Sequence, residues 1–259
     1  MAHDVYGLDW SVWHGLSNGE RREAGKAIAQ WLGEREQRDG GTAAYEVVGQ
    51  KGDLMVVCYR PTPEALTEAK RSLQRTAAYP LMRPTYSYVS VIEVSLYEIS
   101  AIATRRVLEQ GLERGTAAFD EAYAAEMERQ KERMKGRLFR PIPGHRYICF
   151  YPMSKRRGET VNWYTLALEE RRAMMRRHGA IGHKYHDRVV QVIGGSVGLD
   201  DWEWSVSLHA DDALAFKKLV YEMRFDPASA LYAEFGPFYL GIRLDPARLE
   251  RLFAGAGDV

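Results

Sequence analysis

Cysteine is almost missing from this chain: Cys58 and Cys149 are the only two in 259 residues. Each sits in an apolar, strand-like run, LMVVCY and YICFY, so buried free thiols are expected rather than a disulfide or a zinc site. Long hydrophobic runs are missing too, and none approaches the ~20 residues that a membrane-spanning helix needs. Neither sign of charge dominates: 36 Lys and Arg meet 35 Asp and Glu, a net charge of +1, so no basic field points to nucleic acid. The opening MAHDVYGLDWSVW lacks the basic start and continuous apolar core of a signal peptide. The seven histidines are His3, His14, His145, His178, His183, His186 and His209, and no pair has the carboxylate-flanked i, i+4 spacing of a zinc helix. These absences leave a soluble, cytoplasmic protein without a nucleic-acid or membrane partner as the expectation.

What is present is a core-forming composition, 46% hydrophobic, and one order of elements used twice. In the first half, Tyr6 to Leu16 reads as a strand and Asn18 to Arg38 as an amphipathic helix with Ile28, Trp31 and Leu32 on one face. Tyr45 to Gln50 and Leu54 to Tyr59 read as strands around a Gly52-Asp53 turn, Pro63 to Ala77 as a helix, and Ser87 to Ile99 as a long alternating strand. In the second half, Tyr147 to Met153 is a strand and Leu166 to Arg177 a helix. Val189 to Ile193 and Trp204 to Leu208 form a hairpin, Asp211 to Arg224 a capped helix, and Phe238 to Leu244 a closing strand. Thr116 to Arg137, rich in charge, reads as either a helix or a mobile connector. The fold class is therefore α+β: two ferredoxin-like βαββαβ domains that merge into a dimeric α+β barrel within one chain. The expected boundaries are 1–114 and 145–259 for the domains and 115–144 for the connector.

The segment Tyr151-Pro152-Met153-Ser154-Lys155-Arg156-Arg157, with Arg176-Arg177-His178-Gly179, brings a phenol, cations and one imidazole into a single unit. That set suits a large, flat, anionic, iron-bearing ligand. Gly179 is a helix-stop residue type, which places His178 at a helix end, where one imidazole holds a haem iron from one side. A helix C-terminus also favours a histidine for electrostatic reasons alone. Tyr151 is equally read as a core aromatic, and Ser154 to Arg157 as a solvated loop.

The segments CFYPMSKRR, NWYTL, RRAMMRRHGAIGHKY, QVIGGSVGLDDWEWSVSL and FKKLVYEMRFDPASALYAEFGPF occur in that order. Together they resemble the coproheme decarboxylases of Gram-positive (Firmicutes-type) bacteria, within the chlorite-dismutase-like haem proteins. The resemblance covers nearly the whole chain and is densest from Arg137 to Phe238. It implies a homopentamer of two-domain subunits with the haem group in the C-terminal domain. It also implies transient contact with a coproporphyrin ferrochelatase. It makes His178 the axial iron ligand, through a neutral imidazole, and puts Gln191 on the opposite side of the iron. Relatives that degrade chlorite carry an arginine there, so a glutamine points away from chlorite chemistry. Tyr151 becomes the catalytic residue, and Arg137, Lys155, Arg224 and Ser229 the groups that hold propionates. Met153 and Trp163 line the porphyrin edge.

The implied reaction converts two propionates of Fe-coproporphyrin III (coproheme) to vinyl groups, giving haem b through a monovinyl intermediate. Hydrogen peroxide is the oxidant, and a radical on Tyr151 removes hydrogen from the propionate β-carbon. Two other functions compete: a non-enzymatic haem carrier or sensor, which needs His178 and the cations but no redox-active phenol, and a chlorite dismutase, against which Gln191 stands.

Overall fold

The computed structural model describes residues 1–36, 40–92 and 96–255. It divides into two compact units, one of Met1–Val91 with Pro141–Val259 and one of Ile92–Arg140.

The first half of the larger unit runs β1 (Ala2–Leu8), α1 (Trp10–Gly15), α2 (Asn18–Gly33), β2 (Thr42–Val47), β3 (Leu54–Cys58), α3 (Pro63–Gln74) and β4 (Met82–Val89). Ser17 and Glu20 form a capping box that starts α2, and Thr62 with Pro63 starts α3. The expected strand Tyr6 to Leu16 is corrected. The strand ends at Leu8, and Asp9 caps α1 by accepting a bond from the Val12 N–H at 3.1 Å. The two-residue β5 (Val91–Ile92) follows β4.

The second half runs β6 (Tyr147–Lys155), α6 (Leu168–His183), β7 (Val190–Gly195), β8 (Trp204–Ala210), α7 (Ala213–Met223), α8 (Pro227–Ala230), β9 (Ala233–Phe235), β10 (Tyr239–Leu244) and α9 (Pro246–Ala254). In the smaller unit, α4 (Leu96–Leu108) packs on α5 (Ala117–Leu138), and Glu126 of α5 accepts from Arg106 of α4 at 2.6 Å. The segment expected as helix or connector over Thr116 to Arg137 is thus helical from Ala117, with Thr116 as its N-cap. The long strand expected over Ser87 to Ile99 is corrected from Leu96 onward, which is α4; positions 93–95 of that expectation lie outside the described residues.

The strand order β4-β1-β3-β2-β10-β6-β8-β7-β5 contains the ferredoxin-like order twice, joined antiparallel where β2 meets β10. The ends of this sheet meet. Ser90 Oγ lies 2.9 Å from Ser205 Oγ, the Tyr88 hydroxyl donates to Trp202 O at 2.8 Å, and the Val89 N–H donates to Asp200 at 2.8 Å. Closure leaves fewer open edges to pair with other chains. Side chains facing the barrel interior include Phe150, stacked on His3 at 4.1 Å, and the buried Ser205, Ser207 and His209.

On the outer face, two apolar layers hold the helices. One gathers Ile28 and Trp31 of α2, Leu73 of α3, and Leu249 and Phe253 of α9 over Leu54 and Val56. Gly25 allows α2 to approach α9, because a Cβ there would lie 2.5 Å from the Glu250 carbonyl oxygen. The other layer seats Phe216 and Leu219 of α7 on Cys149, Tyr151, Val206 and Leu208. Burial of each large side chain contributes roughly 1.5–3 kcal/mol. Both cysteines are free and buried, as their apolar surroundings predict.

Candidate functional site

Strand alternation sorts β6 into two sets. Cys149 and Tyr151 belong to the layer under α7, with Met153 packed against it, while Phe150 enters the barrel interior. Tyr151 pairs with Val206, and Gln191 pairs with Leu208, so Gln191 of β7 shares the outer face with Tyr151 of β6.

Helix α6 passes over this face without a single buried residue along its sixteen positions. Among the described residues its principal packing is on α7 and α8, not on a strand. A helix whose inner face is left partly exposed fits a ligand between it and the sheet. Its nearest approach to β7 uses Gly182, where a Cβ would lie 3.1 Å from Gln191 Nε2.

The helix also corrects an expectation. It does not stop before Gly179 but runs to His183, so His178 lies within the helix and not at its end. Gly179 keeps a negative φ and faces open space, and a mid-helix glycine costs only about 1 kcal/mol. His183 is therefore helical, and its ring stacks on His186 at 4.6 Å.

His178 is held from behind. Its Nδ1 lies 2.7 Å from Asp226 Oδ2, and the Asp226 side chain is 1% exposed against 28% for the histidine. Burial pushes the Asp226 carboxyl up, but hydrogen bonds from His178, Ala228 N–H and Ser229 outweigh this and hold it below the usual carboxylate range. An ionised acceptor at that distance requires the proton on Nδ1, which leaves the Nε2 lone pair open for a metal. Asp226 was missed by sequence reasoning. Its signal was the Asp226-Pro227 pair, an N-cap followed by proline, which opens α8.

Tyr151 is 5% exposed and stacks on Phe238 at 4.3 Å, with Phe235 at 5.8 Å. Burial drives its phenol far above the usual range, so it is protonated at neutral pH. Lys155, 8% exposed, donates to the Ala228 carbonyl at 2.6 Å and lies 4.5 Å from the Trp163 ring centre. Burial lowers its pKa to about 8 against the opposing pull of Asp226 and Glu203. Ser229 donates to Asp226 at 3.0 Å, and Arg224 lies 4.0 Å from the Phe235 ring centre.

Tyr151, Met153, Lys155, Trp163, His178, Gln191, Arg224 and Ser229 all lie in the second half of the larger unit. Arg137 is on α5 of the smaller unit, and its side chain lies outside the described residues. Among the described residues, no group of three or more His, Cys, Asp and Glu could hold a metal ion. The donor set fits a metal whose remaining ligands come from a ring: one imidazole of fixed tautomer, aromatic walls and cations for acidic arms.

A closed barrel of two ferredoxin-like halves with one oriented imidazole beneath a loosely seated helix defines a class, and the comparisons agree with it. The chlorite dismutase family model matches residues 21–244, and the chain belongs to that family. It is 40% identical over 98% of its length to a Natronomonas pharaonis protein named for haem binding, and it spans 40% of that relative's own length. It is 38% identical to a haem-binding protein of Thermus thermophilus, with a TM-score of 0.81 over 98% of this chain and 94% of that one. A mutant chlorite dismutase of Candidatus Nitrospira defluvii shares the fold at a TM-score of 0.73 and 17% identity, over 98% and 94% of the two chains.

Proposed function

We propose that this chain is a coproheme decarboxylase that uses hydrogen peroxide to turn two propionates of Fe-coproporphyrin III into the vinyl groups of haem b. The observation that carries the reading is the pairing of His178, its tautomer fixed by Asp226, with a buried phenol, Tyr151, on the sheet face that α6 crosses. His178 would hold the iron of such a ring through Nε2, with the ring between α6 and the strands and Gln191 facing it from β7. Lys155, Arg224 and Ser229 would take the acidic arms, and Met153 and Trp163 would line the ring edge.

Tyr151 supplies the step that a simple carrier lacks. Oxidised by one electron with loss of its phenolic proton, it removes a hydrogen atom from the propionate β-carbon. Loss of a second electron and of carbon dioxide leaves the vinyl group. Each propionate thus consumes one peroxide and one proton, and yields one carbon dioxide and two waters. The high phenol pKa keeps Tyr151 protonated until that electron leaves. Its stacking on Phe238 fixes the ring for repeated use. Gln191 is a neutral amide and offers no charge to a chlorite ion, which favours peroxide over chlorite as the partner.

The same reading gives a cytoplasmic homopentamer whose two domains, 1–114 and 145–259, flank a connector over 115–144. A ferrochelatase hands over the substrate by transient contact. No helix among the described residues is long and apolar enough to cross a membrane. Mass spectrometry after peroxide addition to the coproheme complex tests the function. Conversion through a monovinyl species supports it, whereas coproheme that binds and stays intact leaves a carrier. An oxygen electrode with chlorite tests the remaining reading, and rapid oxygen release would favour chlorite dismutation.

A further inference from the structure

The side chain of Lys155 and the ring of His178 belong to different elements, yet both end on the same short helix. Ala228, fully buried in α8, is the joint. Its N–H donates to Asp226 Oδ1 at 3.2 Å, and its carbonyl accepts from Lys155 Nζ at 2.6 Å. Asp226 Oδ2, in turn, accepts from the Ser229 hydroxyl at 3.0 Å and from His178 Nδ1 at 2.7 Å. The ammonium thus holds the carbonyl of a residue whose own N–H, one peptide unit back, bonds the carboxylate behind the imidazole.

A buried ammonium is costly unless it is bonded, so Lys155 stays on a carbonyl while no anion offers a better partner. Trp163 covers the ammonium, and Glu203 is bonded to the Lys155 backbone N–H at 2.7 Å, which fixes the strand beneath it. A four-residue helix has few internal hydrogen bonds of its own, so its placement depends on these external partners.

We propose that Lys155 is a positioning residue for His178, acting through α8. A carboxylate arm that draws Nζ away from Ala228 then loosens Asp226 and with it the imidazole. On the functional reading above, acidic-arm binding and axial ligation therefore sense each other. The lysine becomes a gauge of whether an arm is present at that position.

The test uses the ligand-free protein with 15N-labelled histidine, so it does not depend on which tetrapyrrole the chain takes or on turnover. In the native chain, His178 carries a proton on Nδ1, the nitrogen that faces Asp226. In Lys155→Met the ratio of the two tautomers falls by about tenfold, the worth of one charge-assisted hydrogen bond. Lys155→Arg, which carries a donor to the same carbonyl, restores it. Should Lys155→Met fail to fold, Lys155→Gln takes its place, and its amide gives an intermediate ratio. An unchanged His178 tautomer in a folded Lys155→Met, alongside a changed one in Asp226→Asn, overturns the proposal and leaves the decarboxylase reading standing. Failure of coproheme conversion with the expected tautomer shift removes that reading and leaves the Lys155–His178 link standing.

Discussion

Replacing Asp226 with alanine strips three donors of one acceptor: His178 Nδ1–H, the Ser229 hydroxyl and the Ala228 N–H. The carboxylate itself is shielded from water, since the Asp226 side chain is 1% exposed. Loss of the helix cap costs about 1 kcal/mol, and loss of the charge-assisted bond to the imidazole costs about 1.5–3 kcal/mol. Relief of burying the carboxylate offsets part of this, so a net loss of about 2–4 kcal/mol is expected. For a protein of this size that corresponds to a melting shift of roughly 5–15 °C. Asp226→Asn keeps a good cap but loses the charge, so it should lose about half as much. Urea and thermal unfolding of the ligand-free protein, followed by tryptophan fluorescence, measure both. If Asp226→Ala lies within about 0.5 kcal/mol of the native protein, the carboxylate does not hold this cluster together.

Tyr151→Phe keeps the ring stacked on Phe238 and should bind coproheme normally while losing the first decarboxylation, as product masses will show. Lys155 has a folded pKa of about 8 against 10.5 for the ordinary side chain, so the unfolded chain holds more protons between those values. Native stability should therefore rise between about pH 8 and 10.5 relative to Lys155→Met, by up to ~3 kcal/mol, and parallel unfolding curves for the two would contradict this. His3, buried with a pKa of about 3 against the ordinary 6.5, should cost stability as pH falls through that window. His3→Gln should flatten the acid-unfolding curve there, and an unaltered acid midpoint would place the acid sensitivity elsewhere. Gly182→Val should bring side-chain atoms against Gln191 and weaken tetrapyrrole binding, measured by absorbance titration, with the fold retained by circular dichroism.

The doubled βαββαβ order was legible because short apolar strand-like runs follow one another in the same order with amphipathic helices, of which α2 and α3 open on clear caps at Ser17 and Thr62. Several boundaries were not, the end of β1 at Leu8 among them. The alternation of Tyr88, Val89 and Val91 carries the eye past Ile92, although Ser95-Leu96-Tyr97-Glu98 has the S-x-x-E pattern that opens a helix. Gly179 looked like a stop because glycine commonly ends helices. Yet nothing at this position demands a positive φ, and Ala180 and Ile181 continue the helical run. The site residues on β6 and α6 stood out through their types. Asp226 did not, because its role depends on a partner 48 positions away that only the folded chain supplies. By charge pattern alone Lys155 read as part of a solvated loop, yet it is buried against Trp163, since β6 extends through it.

The account rests on Tyr151 lying within reach of an acidic arm of a ring whose iron is held by His178. Stepwise peroxide addition to the coproheme complex, with masses recorded after each equivalent, tests that directly. The account predicts successive loss of two carboxyl groups, ending in haem b, and no loss in Tyr151→Phe. Coproheme that binds through His178 but keeps all four propionates in the native chain, or an equal turnover in Tyr151→Phe, would contradict it.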